Sequence, residues 1–348
     1  MFAQLIQDPQ KAANFVETPA KPPAWDAFGQ LPALTSDFHH TDGLFYFTYA
    51  VCVFFFVLIV GALLYSVVFY RRKRYDQPAA SNVTHNTPLE VVWTVIPLII
   101  VMVMFGWGFQ GTIDMMTAPA DARQCVAQAK QWTWTFQYPN DTTPSYGEVW
   151  VEKDKPVQFL LESADVLHAF FAPSFRVKRD VVPGRMQSLW FTPRELGDFH
   201  LFCAEYCGQD HSKMYAQIHV VTGEEYSRRP WDQWKDATPE EAAESGARLY
   251  KSAGCVSCHS LDGSKMVGPS WKGIFAKNND GTFTGRESEV VEGGARKKIT
   301  VDRAYIQESI RKPEQKKVVG FESANMTAFD FDDRHIDGLI EFMKSLAK

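Results

Sequence analysis

Residues 203–214 read Cys203-Ala-Glu-Tyr-Cys207-Gly-Gln-Asp-His211-Ser-Lys-Met214, so two cysteines, a histidine and a methionine fall in one short run. His168 lies upstream on a strand-like stretch. Two thiolates, two imidazoles and a thioether are soft-to-borderline donors, a set that favours copper over oxygen-seeking ions. Blue-copper electron-transfer sites use two His, one Cys and a weak axial Met. This chain has that set plus a second Cys four residues from the first. Two thiolates can bridge two copper ions, each capped by one histidine. Met214 then binds one copper weakly, and the backbone carbonyl of Glu205 binds the other. The competing reading is a Cys203–Cys207 disulfide, which would persist outside the cytoplasm. It leaves His211 and Met214 at ligand spacing without a reason.

A second cofactor signal follows at Cys255-Val-Ser-Cys258-His259. C-x-x-C-H is a haem attachment site. Cys255 and Cys258 would form thioethers with the haem vinyls, and His259 would be the proximal ligand. A zinc site needs two further ligands at suitable spacing, and a plain redox dithiol does not explain the adjacent histidine. Copper ligands and a covalent haem on one chain point to electron transfer. The chain carries no nucleophile constellation and no phosphate loop. Its net charge of −5 is modest, and no nucleic-acid partner is expected. Of the six cysteines, Cys52 lies in an apolar run and Cys125 has no partner in sequence.

Two stretches, residues 44–70 and 91–109, contain no charged side chain. Each meets the roughly 20 apolar residues that a membrane span requires. Arg71-Arg72-Lys73-Arg74 follows the first span directly. The positive-inside rule puts that loop in the cytoplasm and both termini, with both cofactor segments, on the outer side. No basic start with an apolar core opens the chain, so no typical secretory signal is read there. Residues 1–43 are proline-rich and expected to be irregular, and the adjacent His39 and His40 read as a solvated pair at the membrane edge. Residues 123–221 hold short, partly alternating runs (156–163, 187–192 and 214–221) separated by turn signals. That pattern predicts an antiparallel sandwich. A polar linker spans 222–237. Thr238-Pro239-Glu240-Glu241 is a capping box with proline at the first helical position.

Asp165-Val-Leu-His168, Arg179-Asp-Val-Val-Pro-Gly-Arg185 and the Cys203–Met214 motif together resemble subunit II of the haem–copper cytochrome c oxidases. Gln131-Trp-Thr-Trp-Thr-Phe136 resembles the aromatic stretch before the core of that family's copper domain. The resemblance covers roughly residues 44–221, and the added haem segment makes the chain similar to the caa3-type oxidases. It implies a cupredoxin fold and a dinuclear CuA centre held by His168, Cys203, Glu205 (backbone), Cys207, His211 and Met214. It gives Glu205 a second role, its carboxylate reaching a Mg²⁺ site shared with subunit I. Glu90, at the start of the second span, matches a glutamate near the mouth of the K proton pathway of subunit I. The plainer reading is an interfacial anchor. Trp132 matches an exposed residue through which electrons enter above CuA, although core packing explains most sandwich tryptophans.

The last segment resembles a class I cytochrome c. Among its methionines, Met266 is too near His259 to cross easily to the other haem face. Met343 belongs to the apolar stripe Ile336, Leu339, Ile340, Met343. Met326 sits in a loop that resembles the distal methionine loop, with Thr327 where proline is common, and is the expected sixth ligand. Val267-Gly-Pro-Ser270 resembles the loop that supports the proximal histidine.

The expected architecture is therefore multidomain. It comprises an irregular segment 1–43, a two-helix transmembrane hairpin 44–112, a CuA cupredoxin-like β-sandwich 113–221, a linker 222–237 and an α-helical class I cytochrome c domain 238–348. The expected function is that of the subunit where electrons enter a terminal oxidase of a bacterial inner membrane. They pass from haem c to CuA and on to subunit I, which reduces O2 to water with proton translocation. Cytochrome c or a quinol-oxidising complex would be the donor. The alternatives are the corresponding subunit of a CuA-type nitric oxide reductase and a membrane-anchored electron carrier.

Overall fold

The computed structural model describes residue 31 and residues 34–78, 81, 83–139, 144–228 and 238–347. Most of the segment expected to be irregular, and the linker from 229 onward, lie outside the described residues. The chain divides into two compact units, Asp37–Ala118 and the remainder.

The smaller unit is a pair of long helices, α1 (His39–Phe69) and α2 (Thr87–Met116). A helix of 31 residues rises about 46 Å, more than the roughly 30 Å of a bilayer core. The central windows of both helices have no buried residues. Helices that are apolar all round and unburied within the chain find their partner in lipid. α1 starts at His39, so the histidine pair expected in an irregular segment is helical. Asn86 caps α2 by accepting the Leu89 N–H at 3.2 Å. Pro88 stands in the first turn, where the missing N–H costs nothing.

The larger unit begins as a β-sandwich. One sheet has the order β3-β2-β1-β5-β8 and the other β4-β10-β9-β6-β7. The strands are β1 (Arg123–Lys130), β2 (Thr133–Gln137), β3 (Ser145–Tyr146), β4 (Glu148–Glu152), β5 (Val157–Ser163), β6 (His168–Ala172), β7 (Val177–Val181), β8 (Gln187–Phe191), β9 (Gly197–Cys203) and β10 (Tyr215–Val221). Alternation drives the packing. Cys125, Ala127 and Ala129 of β1 and Val157, Phe159 and Leu161 of β5 point into the core. Trp134, Phe136, Phe170, Phe175 and Phe191 fill the space between the sheets. Each such ring contributes roughly 1.5–3 kcal/mol by leaving water. The sheets are not wholly antiparallel, because β1 pairs with β5 and β4 with β10 in parallel. After the β1–β2–β3 meander the chain crosses to the second sheet as β4, then returns as β5 beside β1. Period-two patterning is blind to that choice of direction. Burial pushes the Cys125 thiol far above its ordinary range, so it behaves as a small core residue.

Helices α3 (Gly223–Ser227), α4 (Pro239–Ser252), α5 (Arg303–Arg311) and α6 (Asp333–Ser345) follow. The capping box at Thr238 forms as expected, with both reciprocal bonds to Glu241. α4 and α6 cross at Gly246, where a Cβ would sit 2.0 Å from the Gly338 carbonyl oxygen. Only glycine permits that approach. Five short strands lie between α4 and α6, where helix alone was expected. β11 (Phe275–Lys277) pairs with β12 (Phe283–Gly285). β13 (Glu287–Glu292) pairs with β14 (Ala295–Thr300) and β15 (Lys317–Val318). Gly293-Gly294, both at positive φ, form the turn between β13 and β14, a hairpin signal that the sequence carries.

The core of this segment takes in Leu249, Tyr250, Trp271, Ile306, Phe331, Ile336, Leu339 and Met343. Met343 is 4% exposed and is core, as its stripe predicted. The same cluster contains Tyr146, contributed by β3 of the sandwich and only 8% exposed. Its ring meets Phe331 edge-on at 4.6 Å and His335 at 5.2 Å. Its hydroxyl donates to the Asp330 carbonyl at 3.2 Å. Tyr146 therefore joins the sandwich to the core of the C-terminal segment. Tyr146→Ala should destabilise the C-terminal segment by about 3–5 kcal/mol, the usual cost of truncating a buried aromatic. Tyr146→Phe should cost about 1 kcal/mol, the worth of the hydroxyl bond. Calorimetric unfolding of the two variants measures both, and equal effects would show that the ring is not the anchor.

Candidate copper and haem sites

His168 opens β6 and Cys203 ends β9. The two strands are paired, Phe170 lying opposite Cys203. The loop from 204 to 214 is closed at its base by Cys203 N–H donating to the Met214 carbonyl at 3.1 Å. Among the described residues, which include all six cysteines, every cysteine is a free thiol. The Cys203 and Cys207 sulfurs lie 3.8 Å apart, far beyond a disulfide bond.

The other donors gather on these two sulfurs. His168 Nδ1 is 3.8 Å from Cys203 Sγ, and the Glu205 carbonyl oxygen is 3.3 Å from it. His211 Nδ1 is 3.5 Å and Met214 Sδ 3.7 Å from Cys207 Sγ. Ligand atoms of His168, Cys203 and Cys207 all lie within 4.8 Å of one another and are buried. His168 is oriented from behind. Its Nε2 meets Asp165 Oδ1 at 2.8 Å, which leaves Nδ1 turned to the sulfurs.

The electrostatics suit a cation. Burial works against a Cys203 thiolate, but bonds from His168 and from the Ala169 and Glu205 backbone outweigh it and bring this thiol below its usual range. Burial and the neighbouring Cys203 charge hold the Cys207 proton more tightly. Two buried thiolates side by side repel, and a bridging metal cation removes that cost. The donor set thus fits copper: soft sulfur flanked by imidazole, with the carbonyl and thioether at the two ends. Asp165, which the sequence reading left without a role, supplies the carboxylate that such metal-bound histidines commonly need.

The haem-attachment motif follows α4. His259 N–H donates to the Cys255 carbonyl at 3.0 Å. His259 Nδ1 donates to the Pro269 carbonyl at 2.7 Å, which leaves Nε2 as the available ligand atom. Its ring lies against Gly268, where a Cβ would come within 2.7 Å, and 5.5 Å from Trp271. The loop Val267–Ser270 therefore fixes the orientation of the His259 ring. Burial lowers the His259 pKa, favouring the neutral imidazole that an iron ligand requires. Cys255 and Met326 both pack, half-buried, against the core of the segment. These residues fit a haem: two attachment thiols, an oriented imidazole and a thioether around one apolar cluster.

Two expected site residues look different in place. Trp132 is half-buried and not exposed. Its ring lies 3.2 Å from where a Cβ on Gly208 would sit, and its indole N–H is enclosed. Glu90 is in the first turn of α2, where Oε1 accepts the Asn86 N–H at 3.0 Å. It serves at least as part of the helix cap.

Asp165→Asn should weaken copper retention about 10–100-fold, the usual cost of losing a carboxylate behind a metal-bound histidine, without unfolding the sandwich. Copper partition against a competing chelator reads this directly. Unchanged partition would show that Asp165 does not orient His168.

Residues 145–221 match the family model for cytochrome c oxidase subunit II, periplasmic domain, residues 23–110 that for its transmembrane domain, and residues 243–347 that for cytochrome c. The chain is 29% identical over 273 residues to cytochrome c oxidase subunit 2 of Synechocystis, covering 65% of this chain and 80% of that one. It is 30% identical over 251 residues to the protein of the same name in Alkalihalophilus pseudofirmus, covering 64% of this chain and 73% of that one. Among solved structures it is similar to the periplasmic domain of subunit II of the cytochrome oxidase of Bradyrhizobium japonicum. That match has 31% identity, covers 32% of this chain and 94% of that one, and has a TM-score of 0.32. Copper and haem are the cofactors that go with its two extramembrane domains. The chain belongs to the cytochrome c oxidase subunit II family and is the component through which electrons enter that membrane-bound oxidoreductase, here extended by a C-terminal cytochrome c domain.

Proposed function

We propose that electrons reach this chain at a haem c that Cys255 and Cys258 would attach and His259 and Met326 would ligate. From there they pass to a dinuclear copper centre held by His168, Cys203, the Glu205 carbonyl, Cys207, His211 and Met214, and then to subunit I for reduction of O2 to water with proton translocation. The observation that carries this reading is the convergence of four further donor groups on two buried free thiols, in one compact unit with a C-x-x-C-H motif. When bound, the two groups each supply a one-electron couple.

The chain's own residues keep that couple rigid. β6 and β9 hold His168 and Cys203 in register, and the Cys203–Met214 backbone bond fixes the loop ends. The donors would hold their places on gaining an electron, because His168 and Cys203 sit on paired strands and the loop between Cys203 and Met214 is tied at its base. His/Met ligation would raise the haem potential, as donation to copper requires. The Glu205 side chain is exposed on the copper loop, available to a Mg²⁺ shared with subunit I. The basic run at 71–74 between α1 and α2 supports a cytoplasmic turn and an outward orientation of both cofactor domains. Partners in this reading are subunit I and a donor that is either cytochrome c or a quinol-oxidising complex. The division into a hairpin 44–112, a copper domain 113–221 and a haem domain 238–348 goes with the same proposal.

Stopped-flow spectra of the intact complex with its donor test the order of transfer. Haem c should be reduced before copper, and Met326→Ala should retain the covalent haem while losing the methionine-ligated spectrum. Copper reduced ahead of haem would overturn the reading. Glu90 carries a separate test, because Glu90→Gln keeps a side-chain oxygen for the Asn86 N–H but cannot take up a proton. If Glu90 collects protons for subunit I, this variant should turn over several-fold more slowly with both cofactor spectra intact. Normal oxygen consumption across a range of pH would leave it a helix cap.

A further inference from the structure

Gln131 spends three polar groups on three different elements. Its backbone N–H donates to Asp165 Oδ2 at 2.7 Å, the carboxylate whose other oxygen holds His168. Its side-chain amide donates to the Cys207 carbonyl at 2.7 Å. Its own carbonyl accepts the Thr327 hydroxyl at 3.0 Å. Thr327 is the residue immediately after Met326. Beside this, Lys130 Nζ donates to the Ala328 carbonyl at 2.9 Å. One residue at the β1–β2 corner therefore touches both halves of the candidate copper centre and the loop that presents the haem methionine.

A strand-end glutamine satisfied by its neighbours would be unremarked if those neighbours were local. Here they lie 34, 76 and 196 positions away in sequence, and each is next to, or hydrogen-bonded to, a candidate ligand. Through Gln131 the methionine loop and the copper loop are hydrogen-bonded to one residue.

We propose that Gln131 and Thr327 form a positioning clasp that holds the methionine loop of the cytochrome domain against the cysteine loop of the sandwich. The two redox sites are then fixed at one separation instead of meeting by diffusion of a tethered domain. Its functional value rests on the haem-to-copper path proposed above; the clasp itself does not. The transfer it serves moves one electron from haem to copper, oxidising the first and reducing the second, with no bond made or broken and no proton carried. The clasp also accounts for Thr327, since proline at that position has no hydroxyl to donate.

The test uses the full-length chain in its complex, with both cofactors loaded and their absorption spectra as checks of folding. Thr327→Val removes the hydroxyl at constant shape, Thr327→Ser retains it, and Gln131→Ala attacks the clasp from the other side. Two quantities are read: hydrogen exchange in segments 204–213 and 324–331, and the rate of intramolecular haem-to-copper transfer after flash reduction. Thr327→Val should raise exchange in both segments and slow transfer about fivefold, the change that one hydrogen bond makes in a docked fraction. Thr327→Ser should restore both. Gln131→Ala should raise exchange in the same two segments. Unchanged exchange in Thr327→Val, raised exchange with an unchanged rate, or failure of serine to rescue would each overturn the proposal. Absence of any haem-to-copper transfer in the unmodified chain would instead remove the electron path, and the exchange comparison would still decide the clasp.

Discussion

Two buried free thiols 3.8 Å apart are the constraint around which this chain is organised. Neither is paired in a disulfide, and burial and mutual repulsion make it costly to ionise both. Such a pair is stable in its charged form only with a cation between the sulfurs and donors arranged to complete its coordination. Everything nearby serves that requirement. β6 brings a histidine whose far nitrogen is tied to a carboxylate, β9 brings the first cysteine, and the loop to β10 returns the second cysteine, the second histidine and the thioether. The sandwich behind them, filled with aromatic rings, gives this loop little freedom to relax.

Much of that site was legible in the sequence because metal chemistry dictates residue type and spacing together. Cys203, Cys207, His211 and Met214 are close in sequence, and Cys255, Cys258 and His259 form a fixed motif. The two spans were legible for a similar reason, since a lipid-facing helix has to be apolar all round. What escaped reading depends on contacts between distant residues. Nothing in the local pattern of β1 or β4 says that their neighbours run parallel. Asp165 stands three residues before His168 but looks like any turn aspartate until its carboxylate is seen on the imidazole. The β13–β14 hairpin is marked in the sequence only by Gly293-Gly294, because its strands are short and lack a clear period-two apolar pattern.

The attachment of the cytochrome domain is the least legible feature. A polar linker between two domains reads as a tether, and a tether implies encounter at a high effective concentration. The described contacts are of another kind. Tyr146 leaves the sandwich to become part of the cytochrome core, and the Lys130–Gln131 corner is hydrogen-bonded to residues 327 and 328. An aromatic anchor contributes apolar burial, while the polar corner contributes direction. Hydrophobic burial is insensitive to small rotations, whereas hydrogen bonds weaken steeply off axis. The pairing of one anchor with one directional corner thus fixes both attachment and orientation.

That division bears on Trp132. Its half-buried ring packs on Gly208, one residue beyond Cys207, while its neighbour Gln131 is engaged by the methionine loop. A mobile donor approaching this corner would have to displace contacts that the cytochrome domain already makes. Fusion therefore does more than raise local concentration. It sets residues 327 and 328 on the Lys130–Gln131 corner beside the copper loop. Thr327 suits that placement. A loop that must dock once and stay benefits from a hydroxyl aimed at a fixed carbonyl, while a loop that meets many partners gains nothing from one.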